Sequence, residues 1–584
     1  MKKPFDEKAF TFKATFDADR SFRQYKSNAL SVFTLSLYLN LDDLSDFAAN
    51  AITEGPNDKK VDISYLDLNK GRAVIAQSYM AESWGKAAAP ANKASDLNTA
   101  MSWLISANRI PRHLRATATE LRRALSDGDI RRIEILYIHN CHESVNVENE
   151  LKAASEATRD KVSALIGESE PPVITYREFG LAAIEEIYRA RESEILVDGW
   201  IKVPVRGYVQ ERGKGWRAVL TTVPGKWIQR LHKEHGDRLF SANYRDYLGA
   251  TNRAGNINRE ITQTAESEPR NFWIYNNGIT ALTYEIQLKP RRRIRGISII
   301  NGAQTSGALS DATPTSVRNA KVPIRFVECA SRELIDKIIR YNNTQNEIRP
   351  ADRRSNDPLQ RRLCKDFEKY HVPYVHRRSF TRMPRNALTS AAIAPALCAF
   401  HGDPQTAYRN AKEILLKDDV YEKVFAQNIS VEHIFLVKAL SSAIDKVKAE
   451  LKAKVSNETA TKLEAQQYDA LKYSGSKHFI FYLIGSLAEE IMATRVADLF
   501  EWKCKPNVIS GNNVSMQKAW EVSLGALLPQ IAMIVETYGK DASYEVPRST
   551  EKSKEVSKKL TATIASLRRV LGSEFDDLRQ RSTI

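Results

Sequence analysis

The sequence predicts a multidomain α/β protein with an all-helical C-terminal region. Three observations carry that prediction. Its 584 residues exceed what one hydrophobic core usually organises, since domains run to roughly 100–200 residues. Up to about residue 388, runs of strand-like alternation and helical periodicity follow one another. From about 390 onward the Ala/Leu/Lys/Glu-rich pattern is almost wholly helical. The expected divisions are 1–165, a small α/β domain; 166–228, a connector of mixed strands and helices; 229–388, a central mixed α/β domain; and 389–584, a helical domain.

Taken in order, Phe22, Tyr25, Leu30, Phe33 and Leu37 place one or two amphipathic helices in 20–52. A turn at 54–58 leads to strand-like runs at 61–68 and 72–79, joined by a Leu68-Asn69-Lys70-Gly71 turn. Residues 95–105 return to helical spacing with Ser95 as N-cap, and 131–139 reads as a half-buried strand. Further strands are expected at 195–203 and 216–223. The aromatic run 272–275 reads as β material, followed by a turn at Asn276-Asn277-Gly278. A buried strand at 297–300 leads through Asn301-Gly302 into a helix from Gln304. Long helices are expected at 430–454 and 461–494, and the polar stretch 549–558 is expected to be mobile.

Composition narrows the function classes. With 42% hydrophobic and 27% charged residues, the chain resembles an ordinary globular protein, not a disordered or collagen-like one. Its 87 basic residues outnumber 71 acidic ones, for a net charge of +16 and a pI near 9.4, which favours polyanionic partners. Five scattered cysteines form no CxxC pair, so neither a disulfide framework nor a zinc ribbon is expected. The N-terminus has no apolar core of a secretory signal, and the apolar stretch 478–492 is interrupted by Ser486, Glu489 and Glu490. A cytoplasmic protein with no membrane partner is expected.

The segments EGPNDKKVDISY (54–65) and VIAQSY (74–79) resemble the core of PD-(D/E)xK nucleases, closest to the Mrr-like branch. Alternation puts Gln77 and Tyr79 on one strand face. The resemblance implies a PD-(D/E)xK-like α/β domain in which Asp62 and Gln77 hold Mg²⁺ while a lysine orients the attacking water. Tyr79 stands at the lysine position, so Lys86, or alternatively Lys93, would have to supply the cation. Otherwise the domain keeps the fold and binds without cutting. Asp58 and Asp62 as plain turn formers are the structural alternative.

Four strings follow in order: LFSANYRDYLG (239–249), NFWIYNNGIT (271–280), IINGAQTSGAL (299–309), and YNNTQNEI (341–348) with its continuation at 352–360. Together they resemble the AIPR family, named for abortive infection and phage resistance. That resemblance implies antiphage defence and a central AIPR domain. The motif residues are Asn276, Asn277, Gly278, Asn301, Gly302, Gln304, Thr305, Asn343, Gln345 and Asn346. A strand, a glycine turn and a helix N-terminus present backbone N–H groups to an anion. The ParB/sulfiredoxin-like fold has a similar outline, but Ala303-Gln304-Thr305 replace its acidic, His and Arg positions. The three amide-rich motifs are expected to converge on one concave site, either as a ligand pocket or as a self-satisfied network.

Basic residues flank these motifs: Arg291, Arg292 and Arg293 on one side, and Arg349, Arg353, Arg354, Arg377 and Arg378 on the other. Between 340 and 385, twelve Lys/Arg stand against five Asp/Glu, with Tyr370, Tyr374 and Phe380 interleaved, a pattern suited to phosphate contacts and base stacking. His139, Cys141 and His142 make only a weak metal signal. The expectation is an antiphage protein that binds nucleic acid, DNA before RNA, alongside other proteins of a defence operon, with homo-oligomerisation open. A non-catalytic sensor or scaffold, and a nucleotide-binding switch, are the alternatives.

Overall fold

The 61–79 hairpin forms. β1 (Ile63–Asp67) and β2 (Arg72–Tyr79) pair antiparallel, and Gly71 closes their turn at φ +61°. The structure is a computed structural model that describes residues 10–41, 43–53, 60–190, 195–204, 207–243, 262–313, 317–329, 331–343, 354, 357–376, 387–509 and 514–584. Helices Ala91–Met101 and Arg112–Ser126 carry the chain to β3 (Arg132–His139), which pairs parallel with β2. The helix Val145–Ile166 then leads to β4 (Val173–Phe179), again parallel. Parallel neighbours need such crossovers, because a tight turn would reverse the chain. The strand order is β1-β2-β3-β4, so this sheet extends past residue 165.

Two local expectations change. All eight residues of β3 are buried, because both faces are covered. Ala73, Ile75, Ile133, Ile135 and Tyr137 meet the crossover helices on one face. On the other, Glu134 accepts from Arg72 at 2.5 Å and from Tyr38 of the Ala29–Leu39 helix at 2.9 Å. Ser95 is not an N-cap: the helix starts at Ala91 behind Pro90, and the Ser95 hydroxyl bonds back to the Asn92 carbonyl at 2.9 Å.

The chain separates into two compact units: one of Asp19–Leu181, Arg349–Arg378 and Met383–Ile584, the other of Met1–Ala18, Ala182–Ile348 and Ser379–Arg382. The second unit is built on a seven-stranded mixed sheet: β5 (Val197–Lys202), β6 (Tyr208–Gly213), β7 (Trp216–Pro224), β8 (Ile279–Thr283), β9 (Glu285–Gln287), β10 (Arg293–Asn301) and β11 (Lys321–Cys329). The order is β5-β10-β8-β11-β7-β6, with β9 on β10, and only β8 and β11 run parallel. One face packs Ile279, Ile299, Ile324 and Phe326 against Trp227, Ile228 and Leu309, from helices Gly225–His235 and Ala303–Asp311. On the other face, Ile335, Ile338 and Ile339 of helix Arg332–Asn343 cover Leu282, Ile300 and Val327.

In the first unit the C-terminal helices share one large core around Leu436, Leu440, Ile480, Ile484, Leu524 and Leu528. Among the described residues, Val514–Glu536 is the one helix long and apolar enough to cross a membrane, and Trp520, Leu524, Leu527 and Ile531 bury it in this core. The helix expected at 461–494 is three, Lys462–Leu471, Ser476–Ser486 and Ala488–Met492. The first break lies where the Ser474 amide turns to Glu120 at 3.0 Å. The polar stretch near 550 is a helix, Thr550–Ser566, capped by Ser549 and anchored by buried Val556 and Leu560. Its lysines and glutamates lie outside the core, and of its polar residues Ser553 and Ser557 are buried.

His401 and His433 meet in this core with their Nε2 atoms 3.0 Å apart, while His433 Nδ1 lies 2.8 Å from the Trp502 carbonyl. A carbonyl only accepts, so His433 carries its proton on Nδ1 and its Nε2 accepts from His401. Burial pushes His401 down to about 3 and His433 down to about 4. Unfolded histidines protonate near pH 6.5. The folded pair stays neutral, so its stabilisation is complete above about pH 6.5 and is lost as pH falls toward 4. Urea midpoints followed by tryptophan fluorescence should therefore fall across that window, with His478, pushed down to about 4, adding to the slope. His401→Phe should flatten the dependence, and midpoints independent of pH there would contradict this account.

Candidate functional site

At the end of β2, Asp62 and Gln77 face each other and both are buried. One Asp62 carboxylate oxygen accepts from Gln77 Nε2 and from the Ser78 amide at 2.7 Å. Gln77 Oε1 is left without a donor. Tyr79 lies beside His139 in the parallel register, and Gln77 beside Tyr137. His139 accepts at Nδ1 from the Cys141 amide at 3.3 Å and bonds Glu178 through Nε2 at 2.9 Å. Burial raises the Tyr137 phenol and the Cys141 thiol above their usual ranges. The His139–Glu178 pair was not expected, although alternation along 132–139 places Tyr137 and His139 on one face.

This donor set does not fit Mg²⁺, which needs near-octahedral oxygen ligands. The carboxylate oxygen of Asp62 is taken by two N–H donors, and among the described residues no three His, Cys, Asp or Glu side chains come together to hold a metal ion. Lys86 is exposed, and no hydrogen bond or ion pair joins it to Asp62 or Gln77; the group that feels its charge is Cys141. Lys93 points to Asp96 at 4.0 Å. Asp58 lies outside the described residues. Asp62 here ties β1 to β2.

In the central sheet the amide motifs do meet. Thr305 Oγ1 donates to Asn276 Oδ1 at 2.9 Å, and the Gly278 amide reaches the same oxygen at 3.2 Å. Gly302, at φ +96°, is the residue before the Ala303–Asp311 helix; a Cβ there would lie 2.8 Å from the Gly278 carbonyl. Glycine is required because both the backbone angle and the approach of the two turns exclude a side chain. A register shift between Ile299 and Asn301 sets Asn301 beside Thr280, and Asn301 Nδ2 donates to the Asn342 carbonyl at 2.6 Å. Asn343 ends the Arg332–Asn343 helix; Gln345 and Asn346 lie outside the described residues. Asn276 and Asn301 are thus spent on a hydroxyl and on backbone groups, whereas Asn277 is exposed and Gln304 half-buried, neither with a side-chain hydrogen bond among the described residues.

Next to this network is an open stretch of sheet. Asn301, Thr280, Arg325, Leu220 and Val209 form one row across five neighbouring strands. Arg325 is exposed and donates to Thr280 Oγ1 at 3.1 Å and Asn342 Oδ1 at 2.6 Å, neutral acceptors that aim the guanidinium without neutralising it. Two residues along β11, roughly 7 Å away, the face reaches Pro323 and its partner Thr222, which accepts from Trp273 Nε1 at 3.2 Å. Phe272–Tyr275 is not a strand but one helical turn, with the Ile274 and Tyr275 amides donating to the Asn271 carbonyl. Only Phe272 is buried; Trp273 and Tyr275 are 49% and 61% exposed. Arg325 was missed because an arginine inside a strand pattern reads as a solvated outer position.

The expected basic residues separate. Arg291 and Arg292 are exposed, and Arg293 stacks on Trp200 at 3.9 Å and bonds Gln287. They lie at the start of β10, about 26 Å of extended strand from Asn301, so they do not flank the Asn301-Gly302 turn. Arg354 is buried, bonding the Leu415 carbonyl at 2.8 Å, pairing with Asp418 at 2.7 Å and stacking on Tyr421. Its charge is used within the helical core. Arg349, Arg353, Arg377 and Arg378 lie outside the described residues.

An ordered set of turn motifs on a mixed sheet, followed by a helical core, thus defines the class. A family model described as AIPR protein matches residues 240–538, just over half of the chain, and the chain belongs to the AIPR family. The matched span begins after the four-stranded sheet. No curated protein and no solved structure matches the chain.

Replacing Asp62 by Ala should leave Gln77 Nε2 and the Ser78 amide buried without an acceptor, at about 1–3 kcal/mol for each such group. A lowered urea midpoint is the expected result. An unchanged midpoint would remove the structural role.

Proposed function

We propose that this chain acts in the cytoplasm as a nucleic-acid-binding component of antiphage defence that does not itself cut its ligand. Membership in the AIPR family suggests the abortive-infection and phage-resistance role. The observation that carries the binding reading is Arg325, held by two neutral acceptors on an open sheet face beside exposed Trp273 and Tyr275. A cation without an acidic partner meets a phosphate, and solvent-facing aromatics stack bases whatever their sequence. Asn277 is exposed and Gln304 half-buried, on two turns joined by the Thr305–Asn276 bond.

The Asp62–Gln77 spacing still resembles PD-(D/E)xK nucleases, but the fit to a metal is poor and Tyr79 lacks the needed charge. That favours a binding or scaffolding role for the N-terminal sheet, with cleavage or signalling left to partner proteins of the same defence system.

Fluorescence anisotropy with single-stranded and duplex DNA, and with RNA, tests this. Trp273→Ala should weaken binding by about 1–3 kcal/mol, roughly 5- to 150-fold. Arg325→Ala should reduce the slope of log K against log salt by about 0.9 on duplex. The nucleic acid should stay intact with Mg²⁺ or Mn²⁺. Unchanged binding in both variants would overturn the interface, and Asp62-dependent cleavage would overturn the non-catalytic role.

A further inference from the structure

At the start of β10 two rows of side chains cross three strands: Lys202, Arg293 and Gln287, then Trp200, Arg295 and Glu285. Between them Ile201, Ile294 and Ile286 face the helix-covered core, so alternation turns both rows to the opposite side of the sheet. Arg325 stands between Ile324 and Phe326 of the same core and is therefore on that side too. Along the sheet the order is this basic corner, then the row of Asn301 and Arg325, then Trp273 bonded to Thr222. The Arg332–Asn343 helix lies on the same side between the corner and Arg325, over Leu282 and Ile300.

The corner is cationic and its charges are poorly matched. Residues 197–202 and 284–295 hold six Lys or Arg against two acidic residues, Asp198 and Glu285. Glu285 is 3.9 Å from Arg295 with both side chains about half exposed, an arrangement worth little in water. Asp198 accepts from the Gly199 amide at 2.7 Å. Lys202, Lys289 and Arg291 are exposed and make no side-chain hydrogen bond or ion pair among the described residues. The aromatic rings of the corner already carry cations: Arg293 stacks on Trp200 at 3.9 Å, and Arg295 lies over Tyr284 at 5.7 Å. A stacked guanidinium keeps its N–H fork for a phosphate, and it takes up the ring face that a base would use. At the far end the reverse holds. No cation stacks on exposed Trp273 or Tyr275 among the described residues.

We infer that the ligand is a duplex with a single-stranded extension: its paired phosphates lie along the basic corner toward Arg325, and its unpaired bases stack at Trp273 and Tyr275. This rests on the nucleic-acid reading of the Arg325 face and adds a second site to it. Alternate residues of an extended strand, such as Arg293 and Arg295, repeat about every 7 Å, close to two phosphate steps of about 3.4 Å along one strand of a duplex. The corner thus meets paired backbone without reading sequence. The roughly 26 Å of strand from Arg293 to Asn301 corresponds to about eight base pairs. A major groove about 12 Å wide admits a helix about 10–12 Å across, so the Arg332–Asn343 helix does not bar a duplex from both places. Bases inside a duplex are already stacked on one another, so Trp273 and Tyr275 serve only unpaired ones.

Fluorescence anisotropy on the full chain tests this with three DNA probes: a blunt duplex of about 12 base pairs, a single strand of about 12 nucleotides, and the same duplex carrying that strand as a tail. The tailed duplex should bind at least about tenfold more tightly than either part, because both sites then hold one molecule. Lys202→Gln combined with Arg295→Gln, at two exposed positions, should lower the slope of log K against log salt by about 0.9 for each lost phosphate contact on both duplexes. The same variant should bind the single strand like the wild type. Trp273→Ala should weaken the tailed duplex and the single strand and spare the blunt duplex. A tail that adds no affinity, or a wild-type slope in the Lys202 and Arg295 variant, would overturn the junction. Continued weakening by Arg325→Ala and Trp273→Ala in that case would leave the Arg325 face standing. If those two variants instead bind every probe like the wild type, the Arg325 face itself is overturned, and the junction with it.

Discussion

Lys477 holds the larger unit together. The residue is 7% exposed, and its ammonium lies 2.7 Å from Asp445 and 2.9 Å from Asp46. Asp46 belongs to the Leu44–Ala51 helix just before the first strand, whereas Asp445 and Lys477 belong to core helices roughly 400 residues later. Burial alone would drive such groups neutral. The carboxylates instead raise Lys477, while Lys438 and Lys477 hold Asp43 low; Asp445, the most enclosed, is pushed up to about 7. Breaking a buried pair by removing one partner strands a charge, at about 3–5 kcal/mol. These ion pairs, with Arg548–Glu120, explain why the N-terminal sheet and the C-terminal helices fold as one unit.

The central unit obeys a different constraint. Two glycine turns approach closely enough to exclude any Cβ, and a register shift in β10 turns Asn301 toward Thr280. The Arg332–Asn343 helix covers only part of that sheet face. What it leaves open is the row through Arg325, with the aromatic turn at its edge. An amide network that rigidifies the turns and a guanidinium aimed outward are compatible roles for one set of motifs, because the network spends its own amides and leaves Arg325 without an acidic partner.

Much of this architecture was legible in the sequence. The hairpin at 61–79, β3, the strand-turn-helix at Asn301-Gly302 and the helical C-terminal region follow from periodicity and glycine placement, which are local properties of the chain. The four ordered motifs sufficed for the family. What local pattern lacks is knowledge of partners across space. Arg354 reads as a basic-patch residue but stacks on Tyr421 and pairs with Asp418; Phe272–Tyr275 reads as a strand but is a helical turn exposing its aromatics. Arg291–Arg293 are near Asn301 in sequence yet a full strand length away in space. Asp62 and Gln77 carry the spacing of a metal site, but the Ser78 amide and the Gln77 amide group fill the carboxylate oxygen first. Which charges are matched, and so which remain for a ligand, was decided only when segments hundreds of residues apart were packed together.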